Sequence, residues 1–199
     1  MIKHILTAEC NRSCSYCITK NVKIDEINSE ILEQKLPDLY WRLSMRCDSI
    51  MLTGGEPSLS KYFARYVYYA GQYFKHVFIT TQNEWLLNWE HSKDYFEAIT
   101  FSWHDPKAWR YAVTNGAAVY ASILTHLYSD WLVDTVRKLG YTGLTINENH
   151  FGTDVFDEKQ LPQIKGFSIK VNRRGKCIDD ETIFIMPDLS VRKNFKEFL

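Results

Sequence analysis

Three cysteines fall within one short stretch, Cys10-Asn11-Arg12-Ser13-Cys14-Ser15-Tyr16-Cys17, directly after an apolar run. Iron–sulfur clusters are normally held by four thiolates, so three thiolates on a cubane leave one iron open to a ligand that can bind and react. A second feature, Gly54-Gly55-Glu56-Pro57, follows a later apolar run. Zinc is the competing reading of the thiols. Structural zinc takes four ligands, and here the fourth would have to be recruited from Cys47, Cys177 or His4. Inert thiols are the third reading.

Chemistry of either kind needs a scaffold that holds the two motifs together. Apolar runs rich in β-branched and aromatic residues recur at 2–7, 49–53, 76–81, 98–103, 117–124 and 143–147, and read as six strands. From Ser58 onward, Leu59, Tyr62, Phe63, Tyr66, Val67, Ala70, Tyr73 and Phe74 form the stripe of an amphipathic helix, with Ser58 as its expected N-cap and the aromatics against the sheet. Weaker helical patterns cover 29–45, interrupted by Pro37, and 85–96, 106–114 and 129–139. Strands alternating with helices, at spacings too long for tight hairpins, specify a parallel α/β architecture. Six units make a partial (β/α)6 TIM-like barrel, open on one side. In such a sheet the loops leaving the carboxyl ends of the strands carry the site. The cysteine loop after the first strand and the Gly-Gly-Glu-Pro loop after the second are then neighbours on one rim.

After residue 150 the pattern changes, and the expected division is a core over 1–150 and a C-terminal extension over 151–199. Strands are read at 166–171 and 182–186, joined by a polar segment, as a C-terminal hairpin packed on the core that caps the barrel bottom, closes its open side, or covers the site as a lid or recognition element. His104, Asp105, Asn147, Glu148, Asn149 and His150 follow strands on the rim side. Cys47 is expected to pack at a helix end, and Cys177, in a polar turn, reads as a surface or structural cysteine, with hydrogen donation in catalysis as the alternative.

The bulk numbers exclude several classes. At 199 residues the chain suits one domain and is short of the roughly 250 of a complete eight-unit barrel. Hydrophobic residues at 45% and charged residues at 24% are ordinary for a soluble globular protein. Lys plus Arg and Asp plus Glu each total 24, so the formal net charge is zero and argues against a nucleic-acid partner. No apolar stretch approaches a transmembrane length, and the first cysteine arrives before a signal-peptide core could form, so the expected compartment is cytoplasmic. Clustered cysteines there are metal ligands more often than disulfides.

On these motifs the chain resembles the radical S-adenosylmethionine superfamily: Cys10, Cys14 and Cys17 match its C-x3-C-x2-C cluster loop, and Gly54 to Pro57 match its GGEP loop. The resemblance covers roughly the first 125 residues and implies a full or partial β/α barrel and a 4Fe-4S cluster on the three cysteines. It also implies S-adenosylmethionine bound through its amino and carboxylate groups to the open iron. Gly54 and Gly55 would let the backbone approach the methionine moiety, with Glu56 as a nearby negative group, and Tyr16 matches the bulky residue placed against the adenine. Phe101 to Asp105 is similar to the fourth-strand ending in which a serine, here Ser102, lies near the ribose and carboxylate of the co-substrate. Ile79-Thr80-Thr81-Gln82-Asn83 is similar to a third-strand "T-N-G" ending, but Gln82 intrudes and Glu84 stands where the glycine would be.

The activity implied is reductive cleavage of S-adenosylmethionine to a 5′-deoxyadenosyl radical that abstracts hydrogen from a small-molecule or peptide substrate. A flavodoxin- or ferredoxin-type electron donor is implied with it. Alternatives are an activase of a glycyl radical enzyme, a 7-carboxy-7-deazaguanine synthase-like enzyme, and, from another class, a non-catalytic iron–sulfur electron-transfer or sensor protein.

Overall fold

The structure is a computed structural model that describes residues 1–14, 17, 19, 25–104, 117–148, 156–172 and 182–193. Among the described residues nine strands form one open sheet: β1 (Ile2–Ile5), β2 (Ser49–Thr53), β3 (His76–Thr81), β4 (Ala98–Ser102), β5 (Ala118–Leu124), β6 (Gly143–Asn147), β7 (Ser168–Asn172), β8 (Ile183–Ile185) and β9 (Val191–Arg192). Their order is β7-β6-β5-β4-β3-β2-β1-β8-β9, and every pairing is parallel except β8 with β9. This is the α/β partial-barrel architecture expected, with its six core strands in sequential order.

Among the described residues the α-helices are α1 (Ser29–Ser44), α2 (Phe63–Tyr73), α3 (Glu84–Asn88), α4 (Ser92–Tyr95) and α5 (Asp130–Lys138). Strands β2, β3, β4 and β5 alternate strictly between buried and half-buried positions, because successive side chains point to opposite faces. Ile50, Leu52, Val77, Ile79, Ile99, Phe101, Val119 and Ala121 are buried in the same core as Leu32, Leu36 and Tyr40 of α1, Tyr66 and Val67 of α2, and Leu132 and Val136 of α5. The other face carries Met51, Thr53, Phe78, Thr80, Thr100, Ser102, Tyr120 and Ser122, all half-buried. Helix α1 runs unbroken through Pro37, its buried stripe of Leu32, Leu36, Tyr40 and Leu43 outweighing the missing N–H. Its N-cap is Asn28, whose Oδ1 accepts from Ile31 N at 2.9 Å.

Three expectations need correction. Ser58 does not cap α2: Glu56 draws residues Pro57–Leu59 into a 3-10 turn by accepting from the Ser58 N–H, and the helix begins only at Phe63. The pattern at 85–96 is split into α3 and α4. The tail strands β7 and β8 do not pair with each other. An open sheet has two unsatisfied edges, and the tail covers both: β7 adds in parallel to β6, and β8 to β1. The hairpin that does form joins β8 to the two-residue β9. The expected helix at 106–114 lies outside the described residues.

Within β1, His4 is fully buried among Tyr40 and Tyr66, its Nδ1 sharing a 2.6 Å hydrogen bond with the Tyr40 hydroxyl. Burial pushes its pKa down to about 3 from 6.5, against a smaller opposing pull from the Met186 backbone. The fold therefore favours the neutral ring, and this contribution is complete above pH 6.5 and is lost as the pH falls through 6.5 toward 3. By pH 5 the loss reaches about 2 kcal/mol. Thermal melts at pH 7 and pH 5 should show a larger drop in Tm for the wild type than for His4→Gln; equal drops would contradict this account.

Candidate metal and cofactor site

Parallel strands put all their carboxyl ends on one edge, and the rim after β1, β2, β3 and β4 is where the motif residues meet. The first contact is between backbones. Leu6 N donates to Thr53 O at 2.8 Å as the last rung between β1 and β2; beyond the strands, Gly55 N donates to Thr7 O at 2.8 Å and Glu56 N to Glu9 O at 2.7 Å. The segment leading into Cys10 is thereby sewn to the Gly-Gly-Glu-Pro loop. A Cβ at Gly55 would lie 2.2 Å from Glu9 O and 2.7 Å from Ala8 O, and one at Gly54 2.6 Å from Thr7 O. In this structure the two glycines admit the neighbouring loop's backbone.

Glu56 is almost wholly buried. Its Oε1 accepts from Ser58 N (3.2 Å), Ser58 Oγ (2.8 Å) and Thr81 Oγ1 (2.7 Å), and its Oε2 from Gln82 N (2.8 Å). A buried carboxylate is tolerable only with such a shell of donors. The bonds tie the loop after β2 to the end of β3. Asn83 extends the network by donating through Nδ2 to Ser58 Oγ at 2.8 Å, while its Oδ1 accepts from Trp85 N as the N-cap of α3.

Each of the three cysteines is partly buried, and each sulfur has a polar neighbour. Gln82 Nε2 donates to Cys10 Sγ at 3.0 Å, Thr19 Oγ1 lies 3.1 Å from Cys17 Sγ, and His104 Nδ1 lies 4.0 Å from Cys14 Sγ. Cys17 N donates to Cys14 O at 3.1 Å. Burial, joined by the Arg12 cation and opposed by Glu56, lowers the His104 pKa and so favours the neutral ring beside Cys14. Among the described residues no three metal-binding side chains converge on a point for one metal ion. A cubane seats each thiolate on a different iron, so its ligands have no need to converge as zinc ligands do. Thiols flanked by N–H and O–H donors fit the outer shell that such a group requires.

Ser102 ends β4 on the half-buried face, in register with Ser122 of β5. Farther along the rim Asn147 Nδ2 donates to Ser122 Oγ (2.8 Å) and to Ile123 O (3.1 Å), and Asn172 Nδ2 donates to Asn147 Oδ1 (2.8 Å). Ser122 and Asn172 carry no signal in the sequence, and for the bonding of Thr81 and Gln82 the third strand's polar ending is the only one. Tyr16, Asp105, Asn149, His150 and Cys177 lie outside the described residues. Cys47 packs against the core just after α1, its Sγ 3.4 Å from Ser49 O.

No family model and no curated protein matches the sequence. Solved structures do match by fold. SuiB of Streptococcus suis bound to S-adenosylmethionine superposes with a TM-score of 0.62 at 12% identity, covering 96% of this chain and 57% of SuiB. SuiB bound to the precursor peptide SuiA gives 0.64 at 12% identity, covering 96% and 58%. The chain thus spans a little under three fifths of SuiB's length. At 12% identity these are likenesses of fold.

The glycine contacts make opposite predictions for two alanine substitutions. Gly55→Ala should lower the Tm, at a cost of roughly 1–3 kcal/mol, because its Cβ meets backbone that no rotamer change can move. Gly71→Ala, in α2 with nothing within 4 Å, should raise stability by about 0.5–1 kcal/mol. Equal effects in calorimetry would contradict the clamp.

Proposed function

We propose that this chain is a radical S-adenosylmethionine enzyme whose Cys10, Cys14 and Cys17 bind a 4Fe-4S cluster and whose rim loops seat the co-substrate. The observation that carries the reading is the joining of the thiol loop to the Gly-Gly-Glu-Pro loop, with a hydrogen-bonding neighbour beside every cysteine sulfur. The zinc reading is disfavoured because, among the described residues, no three metal-binding side chains converge on one point. When bound and reduced, the cluster supplies the electron that splits the sulfonium and yields the 5′-deoxyadenosyl radical.

The chain's own residues position and shield. Glu56 holds the loop after β2 against β3, and His104, favoured in its neutral form, keeps positive charge away from Cys14. Gly54, Gly55 and Ser102 remain the proposed contacts to the co-substrate, together with Tyr16. The half-buried sheet face, with Thr53, Thr80, Thr100 and Ser122, offers hydroxyls without a cluster of charges, which suits a neutral polar substrate. A peptide is the favoured class, supported by the peptide-bound state of the structural neighbour; a small molecule is the other. A flavodoxin- or ferredoxin-type donor would supply electrons, in a cytoplasmic setting. A recognition or lid role for residues 151–199 is supported by the position of β7 beside β6 and of β8 beside β1. Among the described residues no helix is long and apolar enough to cross a membrane.

Anoxic reconstitution should load about four irons per chain. Dithionite with S-adenosylmethionine should then release 5′-deoxyadenosine, and Cys14→Ala should abolish both. A redox-active cluster that never cleaves the co-substrate would favour the electron-transfer alternative; stoichiometric zinc with no visible absorbance would overturn the cluster assignment.

A further inference from the structure

Gln82 is the residue that departs from the expected third-strand ending, and the structure gives that departure a place. Its backbone N–H is fixed by Glu56 Oε2, and its side-chain Nε2 donates both to Cys10 Sγ at 3.0 Å and to Asn11 Oδ1 at 2.7 Å. Those two acceptors decide the amide's orientation, since a sulfur ligand and an amide oxygen both call for the N–H end. The other end, Oε1, is buried and has no hydrogen-bond partner. A buried acceptor left unmatched costs about 1–3 kcal/mol, and such an exception calls for a donor that binds there.

We infer that Gln82 couples the metal group to its co-substrate, donating through Nε2 to the Cys10 sulfur and accepting through Oε1 from the ammonium of S-adenosylmethionine. The inference rests on the function proposed above. Hydrogen bonds to cluster sulfurs are among the determinants of reduction potential, because an N–H dipole stabilises the extra negative charge of the reduced state. Gln82 therefore raises the potential of the group it touches. A cationic amine is the donor that a lone carbonyl beside thiolates takes best, since the thiolates' negative charge favours it as well.

The test uses the anoxically reconstituted full chain, as wild type, Gln82→Leu and Gln82→Glu, with iron content and circular dichroism as controls. The midpoint potential comes from EPR-monitored redox titration, and the apparent Kd for S-adenosylmethionine from the change it induces in the EPR spectrum. Gln82→Leu loses both ends: its midpoint should fall, and the apparent Kd should rise about ten- to a hundredfold. Gln82→Glu loses the donor but keeps an acceptor: its midpoint should fall further, while its Kd stays at or below the wild-type value. An unchanged midpoint and Kd in loaded variants would overturn the inference and leave the proposed function standing. Folded variants that both refuse iron would also overturn it, because Gln82 would then only hold the loop. A wild type that binds no cluster would instead sink the functional reading itself.

Discussion

Two backbone hydrogen bonds, Gly55 N–H to Thr7 O and Glu56 N–H to Glu9 O, are the constraint on which the rest of the site depends. They continue the β1–β2 ladder beyond the strands and force the cysteine loop to leave the rim beside the Gly-Gly-Glu-Pro loop. The constraint is steric as much as polar. The paired backbones approach so closely that a single methyl at Gly55 would sit inside the contact distance of the Glu9 carbonyl. Glycine here is a requirement of loop-to-loop packing before it can be a requirement of any ligand.

From that seam the order spreads sideways through one buried carboxylate. Glu56 binds its own loop through Ser58 and the next strand's end through Thr81 and Gln82. Gln82 then turns back to Cys10. The path is a closed circuit: thiol loop, glycine loop, third strand, thiol loop. Each closure reduces the freedom of Cys10, which is how a site is held to the tolerance that metal and radical chemistry demand. His104 beside Cys14 brings the end of β4 to the same place.

Much of the fold was legible because parallel strands flanked by helices write their burial into alternating or continuous apolar runs; β2, β3 and β6 have the bounds that the sequence suggested. The tail was less so. Strands β7 and β8 are visible as apolar segments, but which sheet edge each joins depends on the whole topology, and a two-residue strand such as β9 leaves no periodic trace. At the site, residue types and spacing showed the thiols and the glycine pair, while the destination of each hydrogen bond stayed hidden. Glu56 reads as a free anion for a ligand, and the fold satisfies it with four protein donors. Gln82 reads as an intrusion, and the fold aims it at Cys10. Such pairings depend on register across strands separated by tens of residues, which local pattern does not encode.

The central claim is that three thiolates leave one iron chemically distinct. Mössbauer spectroscopy of protein reconstituted with 57Fe, recorded with and without S-adenosylmethionine, tests it most directly. One site in four should shift when the co-substrate is added, while the other three keep their parameters. Four irons that all remain unchanged on addition would contradict it.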